Sequence, residues 1–309
     1  MTIRNSNLSR RAMLAGAAAV PLAGALSGPV RAKAPMLGAK NTLFNRVALG
    51  DFEVTTILAA SSRVDNPQNI FGINVTPEEF AAASSAAHIP ADTTQFFFTP
   101  TVVNTGSELI LFDTGLSAAG TTAALAEAGY LADQVDVVVI THMHPDHIGG
   151  LMADGAPTYP NARYVTGATE FDSWDMSGNE MFEAQMRPLA EQTKFITDGG
   201  SVASGITGMN AFGHTPGHMA FMLESNGKQL LLGADFANHY VWSLAHPDWE
   251  VLYDQDKETA ARTRRHLLDM LVADTVPMVG YHMPWPAIGY VERHGDGFRY
   301  VPHSYQMML

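Results

Sequence analysis

The residues most suited to chemistry in this sequence are four potential metal ligands within one run of six residues. They are His142, His144, Asp146 and His147. The run follows the apolar, β-branched segment 135–141, which predicts a strand, and Pro145 disfavours strand and helix interiors, so we expect a loop. Residues i and i+2 at a strand end point to the same side, and the following turn directs Asp146 and His147 to a second point nearby. The spacing therefore predicts two metal ions close together.

Three further potential ligands lie downstream, each beside an apolar or turn segment. His214 lies in a Gly-His-Thr-Pro-Gly-His run, Asp235 ends the apolar segment 230–234, and His282 ends the segment 277–281. Because residues at strand ends converge on one edge of a sheet, we expect all three to join the first four. This convergence favours a metal centre over the alternative reading of a solvated histidine-rich loop.

Composition restricts the ligands and the partners. The chain of 309 residues has no cysteine, which excludes disulfides, thiolate zinc sites, iron–sulfur clusters and cysteine nucleophiles. Any metal must therefore be held by His, Asp or Glu. There are 31 acidic and 18 basic residues, a net charge of −13, and this argues against a nucleic-acid partner, since binding to phosphates depends on clustered cations.

The elements that position these ligands alternate in blocks along the chain. Short apolar or β-branched runs bounded by turn residues predict strands at 52–58, 101–105, 109–113, 135–141, 219–223 and 230–233. Helical composition and spacing predict helices at 121–128, 182–192 and 259–273. The pattern favours one domain of the α/β or α+β class with layered sheets.

The first 32 residues form a different kind of sequence. Arg10 and Arg11 precede an apolar run that reaches Gly28, and Val30-Arg31-Ala32 fits a small-x-small cleavage site. This segment resembles a bacterial twin-arginine export signal; an ordinary secretory signal and an amphipathic first helix are the alternatives. We therefore predict a periplasmic or secreted protein with its catalytic domain at 33–309 and no stable membrane insertion once the signal is removed.

The order of the ligand motifs resembles the metallo-β-lactamase superfamily. The matching elements are H-x-H-x-D-H, then G-H-T-P-G-H, then a single Asp and a single His. Several segments between about Val47 and Tyr305 are similar to methyl parathion hydrolase and its relatives, a group that borders the acyl-homoserine lactonases: 49–53, 103–107, 128–130, 282–289 and 298–302. The resemblance implies a four-layer αββα sandwich with the metals along one sheet edge, and a homodimer among the relatives.

The resemblance also implies a role for each ligand. His142, His144 and His214 would hold one metal ion. Asp146, His147 and His282 would hold the other, and Asp235 would bridge the two. Zn²⁺ is the expected metal, although the same donors accept Mn, Fe or Co. Asp113 would orient the metal-binding loop, and His218 would pack beside the ligands instead of binding metal.

Two cations that share an oxygen define the expected mechanism. Zinc can lower the pKa of bound water to about 7, so a metal-bridging hydroxide could attack a carbonyl or phosphoryl centre. Asp146 could take and return a proton, and Asp146 and Asp235 are the predicted catalytic carboxylates. A lactone, an ester and a phosphotriester fit this chemistry equally well.

The choice of substrate depends on the pocket. Candidate pocket residues are Trp174, Phe182, Phe236, Asn238, Tyr240 and Trp285; for each aromatic residue, core packing is the alternative. Many acyl-homoserine lactonases have a Tyr three residues after the bridging Asp, where this chain has Asn238, and Tyr240 is a candidate substitute.

These observations favour a metal-dependent hydrolase with a small-molecule substrate. The first hypothesis is an exported dinuclear zinc enzyme that opens N-acyl-homoserine lactones, a quorum-quenching activity. A methyl parathion hydrolase-like phosphotriesterase or an arylesterase is the alternative. A domain that only binds metal or a protein partner, and a β-lactam hydrolase, are further alternatives that the ligand set disfavours.

Overall fold

Two seven-stranded sheets form the framework of the protein. The computed structural model describes residues 39–304, so the predicted export segment at 1–32 lies outside the described residues. Residues 41–304 belong to one compact unit. Within the described part of the chain, no helix is long and apolar enough to span a bilayer.

The strands are β1 (Phe44–Leu49), β2 (Phe52–Ile57), β3 (Ala60–Asp65), β4 (Thr93–Phe98), β5 (Thr101–Asn104), β6 (Leu109–Phe112), β7 (Val137–Ile140), β8 (Met152–Ala153), β9 (Ala156–Pro157), β10 (Arg163–Gly167), β11 (Thr193–Ile196), β12 (Ser201–Ala203), β13 (Ile206–Asn210), β14 (Met219–Ser225), β15 (Lys228–Ala234), β16 (Met278–Gly280), β17 (Ile288–His294) and β18 (Gly297–Pro302). The helices are α1 (Pro77–Ala86), α2 (Ala118–Glu127), α3 (Pro145–Ile148), α4 (Ala168–Asp175), α5 (Glu180–Gln185) and α6 (Lys257–Asp274).

The first sheet has the order β1-β2-β5-β6-β7-β10-β11, and the second has the order β12 to β18 in sequence. Strands β6, β7, β10 and β11 are parallel to one another, whereas most pairs in the second sheet are antiparallel. Parallel strands are usually covered on both faces, and all four residues of β7 are buried accordingly.

The alternation of side chains along β7 shows how the layers pack. Val137 and Val139 belong to the core cluster between the sheets, and Val138 and Ile140 belong to the cluster that the helices cover. Residues of α2, α4 and α5 complete the second cluster. On the far side, α6 contributes Leu267, Leu268 and Leu271 to the first cluster. The order helix, sheet, sheet, helix confirms the predicted four-layer sandwich.

Each predicted strand and helix overlaps an observed element of the same kind, except that one predicted helix divides into two helices of different kinds. The helix predicted over 182–192 divides into α5, which ends at Gln185, and a 3-10 helix at Arg187–Gln192. Pro188 explains the break, because it has no backbone N–H to donate within an α-helix.

Strands β3 and β4 form a separate two-stranded ribbon that sequence patterns did not predict. It pairs Ser62 with Phe96 and Ala60 with Phe98. Phe96 joins a third apolar cluster with Phe71, Phe80 and Trp242. The ribbon is therefore anchored by its own small core.

Candidate metal centre

Three imidazoles meet where β7 and the loop before β14 come together. His142 Nε2 lies 3.1 Å from His144 Nδ1, and His214 Nε2 lies 2.9 Å from the same atom. Ligand atoms about 2.0–2.1 Å from a tetrahedral Zn²⁺ stand about 3.4 Å apart. These three nitrogen atoms, which we call the three-histidine group, are thus close to the spacing that a single cation requires.

A second group combines two imidazoles and two carboxylates. His282 Nε2 lies 3.3 Å from Asp146 Oδ2 and 3.2 Å from Asp235 Oδ2. His147 Nε2 lies 3.5 Å from Asp146 Oδ2 and 3.3 Å from Asp235 Oδ1. The potential ligand atoms of this carboxylate group all lie within 4.8 Å of one another. The structure therefore brings all seven predicted ligands together.

Asp235 connects the two groups. Its Oδ2 atom lies 3.4 Å from His214 Nε2, in addition to its contact with His282. Asp235 Oδ1 and His147 Nε2 are buried and lie 3.3 Å apart, but they do not form a hydrogen bond with each other, and among the described residues neither atom has another partner. Buried polar atoms without partners are costly unless an ion or water satisfies them, so the donor set fits a pair of cations with Asp235 between them.

The imidazole rings are held by partners on their other nitrogen atoms. His147 Nδ1 lies 2.8 Å from Asp113 Oδ2, and Asp113 also accepts hydrogen bonds from the backbone and side chain of Thr141, each at 2.9 Å. His282 Nδ1 donates to the carbonyl of Phe97 at 2.8 Å. Such contacts orient ligand rings and select the tautomer. Asp113 thus lies where the sequence analysis expected an orienting carboxylate.

Asp254 orients the ring of His214 as Asp113 orients the ring of His147. The sequence analysis missed Asp254. Its Oδ1 atom lies 2.8 Å from His214 Nδ1, while its Oδ2 accepts from buried Arg264 at 2.7 Å. No motif surrounds Asp254 in the sequence, and 40 positions separate it from His214. Only the fold could reveal this pairing.

Burial and charge divide the histidine rings into two classes. Burial, reinforced by His214, lowers the pKa of His144 to about 3, and burial lowers the pKa of His142 well below its usual value. Neutral rings keep a free lone pair, which metal binding requires. Burial also acts on His282, but Asp235 and Asp146 outweigh it and raise its pKa to about 10. The carboxylate group thus attracts positive charge.

His218 lies outside both groups of ligand atoms. Its Nε2 atom accepts a hydrogen bond of 3.0 Å from the backbone N–H of Asp235. Its ring centroid lies 4.9 Å from that of His142. His218 therefore packs beside the centre and fixes the backbone that presents Asp235.

A cavity of about 280 Å³ opens over the centre. His144, Asp146, His214, Asp235 and His282 border it on one side. Its other walls are mostly apolar and come from Val64, Phe96, Phe98, Leu116 and Tyr253. The potential ligands are therefore accessible to a molecule with an apolar portion.

The predicted pocket residues divide among several places. Asn238 borders this cavity and donates a hydrogen bond of 3.0 Å to Asp235 Oδ2. Trp174 packs edge-on against His144 at 5.8 Å between ring centroids. Trp285 donates to Thr42 instead of facing the cavity. Tyr240 borders a neighbouring cavity.

Phe182 and Phe236 require a correction. Phe182 is fully buried in the cluster beneath the helices, and Phe236 is 2% exposed in the first core cluster, which also includes residues of α6. The prediction that they contact substrate is therefore wrong. The free energy gained by burying an aromatic ring explains why both side chains lie in the core, even though Phe236 directly follows a ligand in sequence.

The neighbouring cavity, of about 390 Å³, lies on the Phe97 side of β4 and also borders His282. His239 and Trp242 form one of its walls, with their rings stacked 4.0 Å apart. His239 Nδ1 accepts from the backbone N–H groups of Val241 and Trp242 at 3.1 and 3.2 Å. The neutral ring must therefore carry its proton on Nε2.

His239 is expected to make the protein sensitive to acid. Burial lowers its pKa to about 3, whereas the unfolded chain protonates near 6.5. Stability should therefore fall as the pH drops below 6.5, by up to about 1.4 kcal/mol per pH unit from this group. Urea denaturation of chelator-treated protein between pH 7 and pH 4 should show a flatter pH dependence in His239→Phe.

The control for that experiment is Tyr240→Phe, which alters the same cavity without removing an imidazole. Its stability should run parallel to that of the wild type across this pH range. Parallel curves for wild type and His239→Phe would contradict the prediction.

Comparisons with known proteins agree with this fold. The model of the metallo-beta-lactamase superfamily matches residues 99–278, and no curated protein matches the sequence. AidC, a dizinc quorum-quenching lactonase solved in complex with a product, is 24% identical, with a TM-score of 0.78 over 86% of this chain and 99% of its own. The hydrolase AbOPH is 22% identical, with a TM-score of 0.79 over the same shares. A probable metal-dependent hydrolase from Staphylococcus aureus is 18% identical, with a TM-score of 0.69 over 83% and 98%.

Proposed function

The chain belongs to the metallo-β-lactamase superfamily, and we propose that this metal-dependent hydrolase opens the lactone ring of N-acyl-homoserine lactones at a dinuclear centre. The observation that supports the proposal most strongly is the pair of ligand groups joined by Asp235 beneath a largely apolar cavity. Such a cavity suits a substrate that combines a polar ring with an acyl chain. Structural neighbours that include dizinc and acyl-homoserine lactonases also support it.

Zinc is the metal that we propose for both groups, because imidazole and carboxylate ligands suit it. Mn, Fe and Co accept the same donors. When bound, two such cations supply Lewis acidity, which activates water near neutral pH and polarises the oxygen of the substrate.

Asp146 is the proposed proton carrier. It borders the cavity, and its Oδ2 atom is engaged by His282 and His147, which leaves Oδ1 to take a proton from water and return it to the leaving alkoxide. The hydroxyl of Tyr281 donates to the backbone carbonyl of Asp146 and thereby holds the backbone that carries this side chain.

Tyr253 is the proposed contact for the carbonyl of the substrate. The sequence analysis offered Tyr240 for this purpose, but the structure places Tyr253 at the cavity over the centre. Burial and the charge of Asp146 raise the pKa of Tyr253, so its phenol keeps its proton and can donate. Tyr253 is 46% exposed, which leaves it accessible to an incoming substrate.

Tyr253→Phe is expected to reduce kcat/KM for a homoserine lactone about tenfold, the effect of losing one neutral hydrogen bond. The ring and the cavity remain, so metal content should not change. Tyr240→Phe is the matched control and should retain wild-type kinetics. Equal activity of Tyr253→Phe and wild type would remove Tyr253 from the mechanism.

An activity panel tests the proposed function. The metal-loaded protein is assayed in a pH-indicator assay with C4 to C12 homoserine lactones and separately with a nitrophenyl phosphotriester and an aryl ester. We expect the highest kcat/KM with a lactone. A higher kcat/KM for the phosphotriester would favour the alternative, which the aromatic wall of Phe96 and Phe98 also suits.

We also propose that the protein is exported through residues 1–32 and functions as a homodimer. The twin-arginine pattern of the sequence supports export. Substitution of Arg10 and Arg11 by lysine should retain the protein in the cytoplasm, as measured by cell fractionation.

Light scattering of the mature protein measures its oligomeric state, and a monomer would contradict the proposed dimer.

A further inference from the structure

Glu170, on α4, is a fully buried carboxylate that receives four hydrogen bonds. Its Oε1 atom accepts from the backbone N–H of Met143 at 2.9 Å and from the Trp174 indole at 2.7 Å. Its Oε2 atom accepts from the hydroxyl of Thr215 at 2.7 Å and from the backbone N–H of Gly217 at 2.8 Å. Burying a charged carboxylate is costly unless it is well hydrogen-bonded, and these four hydrogen bonds meet that condition. The question is what the carboxylate does at this position.

The partners of Glu170 come from two separate metal-ligand loops. Met143 lies between His142 and His144, and Thr215 directly follows His214. One carboxylate therefore joins the two segments that supply every member of the three-histidine group.

The packing at Gly217 shows how closely the second loop approaches α4. A Cβ atom at Gly217 would lie 2.1 Å from the backbone nitrogen of Glu170. Only glycine permits this contact. The contact brings the backbone N–H of Gly217 to the Glu170 carboxylate. The indole of Trp174, held by the same carboxylate, packs edge-on against His144. Glu170 thus constrains both loops and one ligand ring.

The carboxylate group has different supports. Asp113 holds His147, and the carbonyl of Phe97 holds His282. Glu170 makes no hydrogen bond with either support or with these two rings. Its influence should therefore fall on the three-histidine group.

We propose that Glu170 is a positioning residue that holds His142, His144 and His214 at ligating separation and thereby sets the metal affinity of the three-histidine group. This inference rests on the dinuclear centre of the proposed function. The competing interpretation is a buried carboxylate that contributes only to core stability. If Glu170 is a positioning residue, metal affinity should fall at the three-histidine group alone. If it contributes only to core stability, metal affinity should change at neither group or fall equally at both.

Metal binding to Glu170→Gln tests the inference. Apoprotein is titrated with Zn²⁺ by calorimetry and with Co²⁺ by visible absorption, because the two groups have different donor atoms and so different cobalt spectra. We expect one of the two sites to bind about 10–100-fold more weakly, the usual effect of losing a group that orients ligands. The altered cobalt spectrum should be that of the three-histidine group.

Asp113→Asn is the matched counterpart, because it removes a carboxylate that orients the other group. It should weaken the site with carboxylate donors. Thr215→Val, which keeps Glu170 and removes one of its four hydrogen bonds, should give a smaller loss at the three-histidine group and covers the case in which Glu170→Gln does not fold.

Ser84→Ala controls for stability, since it removes the buried acceptor of the Trp242 indole in a separate core cluster. It should lower Tm without changing metal binding. If Glu170→Gln behaves like Ser84→Ala, or if both metal sites weaken equally, the inference is overturned.

The wild-type results separate this inference from the proposed function. Wild-type protein that binds two ions but opens no lactone refutes the proposed activity and leaves the role of Glu170 intact. Wild-type protein that binds no ion refutes both.

Discussion

Asp235→Asn is expected to reduce kcat/KM for a homoserine lactone by about 10³-fold, since a metal's Lewis-acid contribution of several kcal/mol corresponds to that factor. Asp235 contacts both ligand groups, through His214 on one side and His147 and His282 on the other. Asparagine keeps the shape of the side chain but removes the charge and one acceptor oxygen. The variant should therefore no longer hold two metal ions side by side, while its fold persists.

The measurement combines steady-state kinetics with elemental analysis of the purified variant. We expect fewer than two ions per chain. Asp269→Asn is the control, because Asp269 pairs with Arg293 at the surface, and surface ion pairs contribute little. A variant at position 235 that keeps two ions and wild-type turnover would exclude a bridging role.

Removal of the metal ions should abolish turnover and lower thermal stability. Asp146 and Asp235 lie with five imidazoles in two adjoining groups, and bound cations would satisfy the buried Asp235 Oδ1 and His147 Nε2 atoms, which otherwise have no hydrogen-bond partner among the described residues. A ligand at 100 times its dissociation constant stabilises the native state by about 2.7 kcal/mol. Two ions should therefore produce a large shift in Tm.

This experiment uses dialysis against a chelator, followed by separate addition of Zn²⁺, Mn²⁺, Co²⁺ or Fe²⁺. Activity and Tm should recover together, and the metal that restores the highest kcat/KM identifies the best occupant. Full activity in protein shown by elemental analysis to be free of metal would contradict a metal-dependent mechanism.

Much of the fold was predictable because its signals are local. The continuous apolar run of β7 and the alternation of short strands with helices indicated layered sheets, and the αββα arrangement confirmed this. The ribbon of β3 and β4 was not predicted, since its residues are largely polar in β3 and its pairing joins segments separated by an intervening helix. Its strand periodicity was too weak to distinguish it from a loop.

The amino-acid sequence alone determined which seven residues could gather at the centre. Their types are chemically distinctive, and most of them follow closely after a strand, where backbone geometry limits the direction of the side chain. Asp113 was recognised through the resemblance to the superfamily, and the structure places it directly after β6.

Only the tertiary structure decided what supports and surrounds those ligands. Asp254 reaches His214 across 40 positions, the carbonyl of Phe97 reaches His282 across 185, and Glu170 joins two loops. Tyr253 faces the centre while Tyr240 faces the neighbouring cavity. These relations depend on the packing of long connecting segments against one another. No local preference of the backbone encodes that packing.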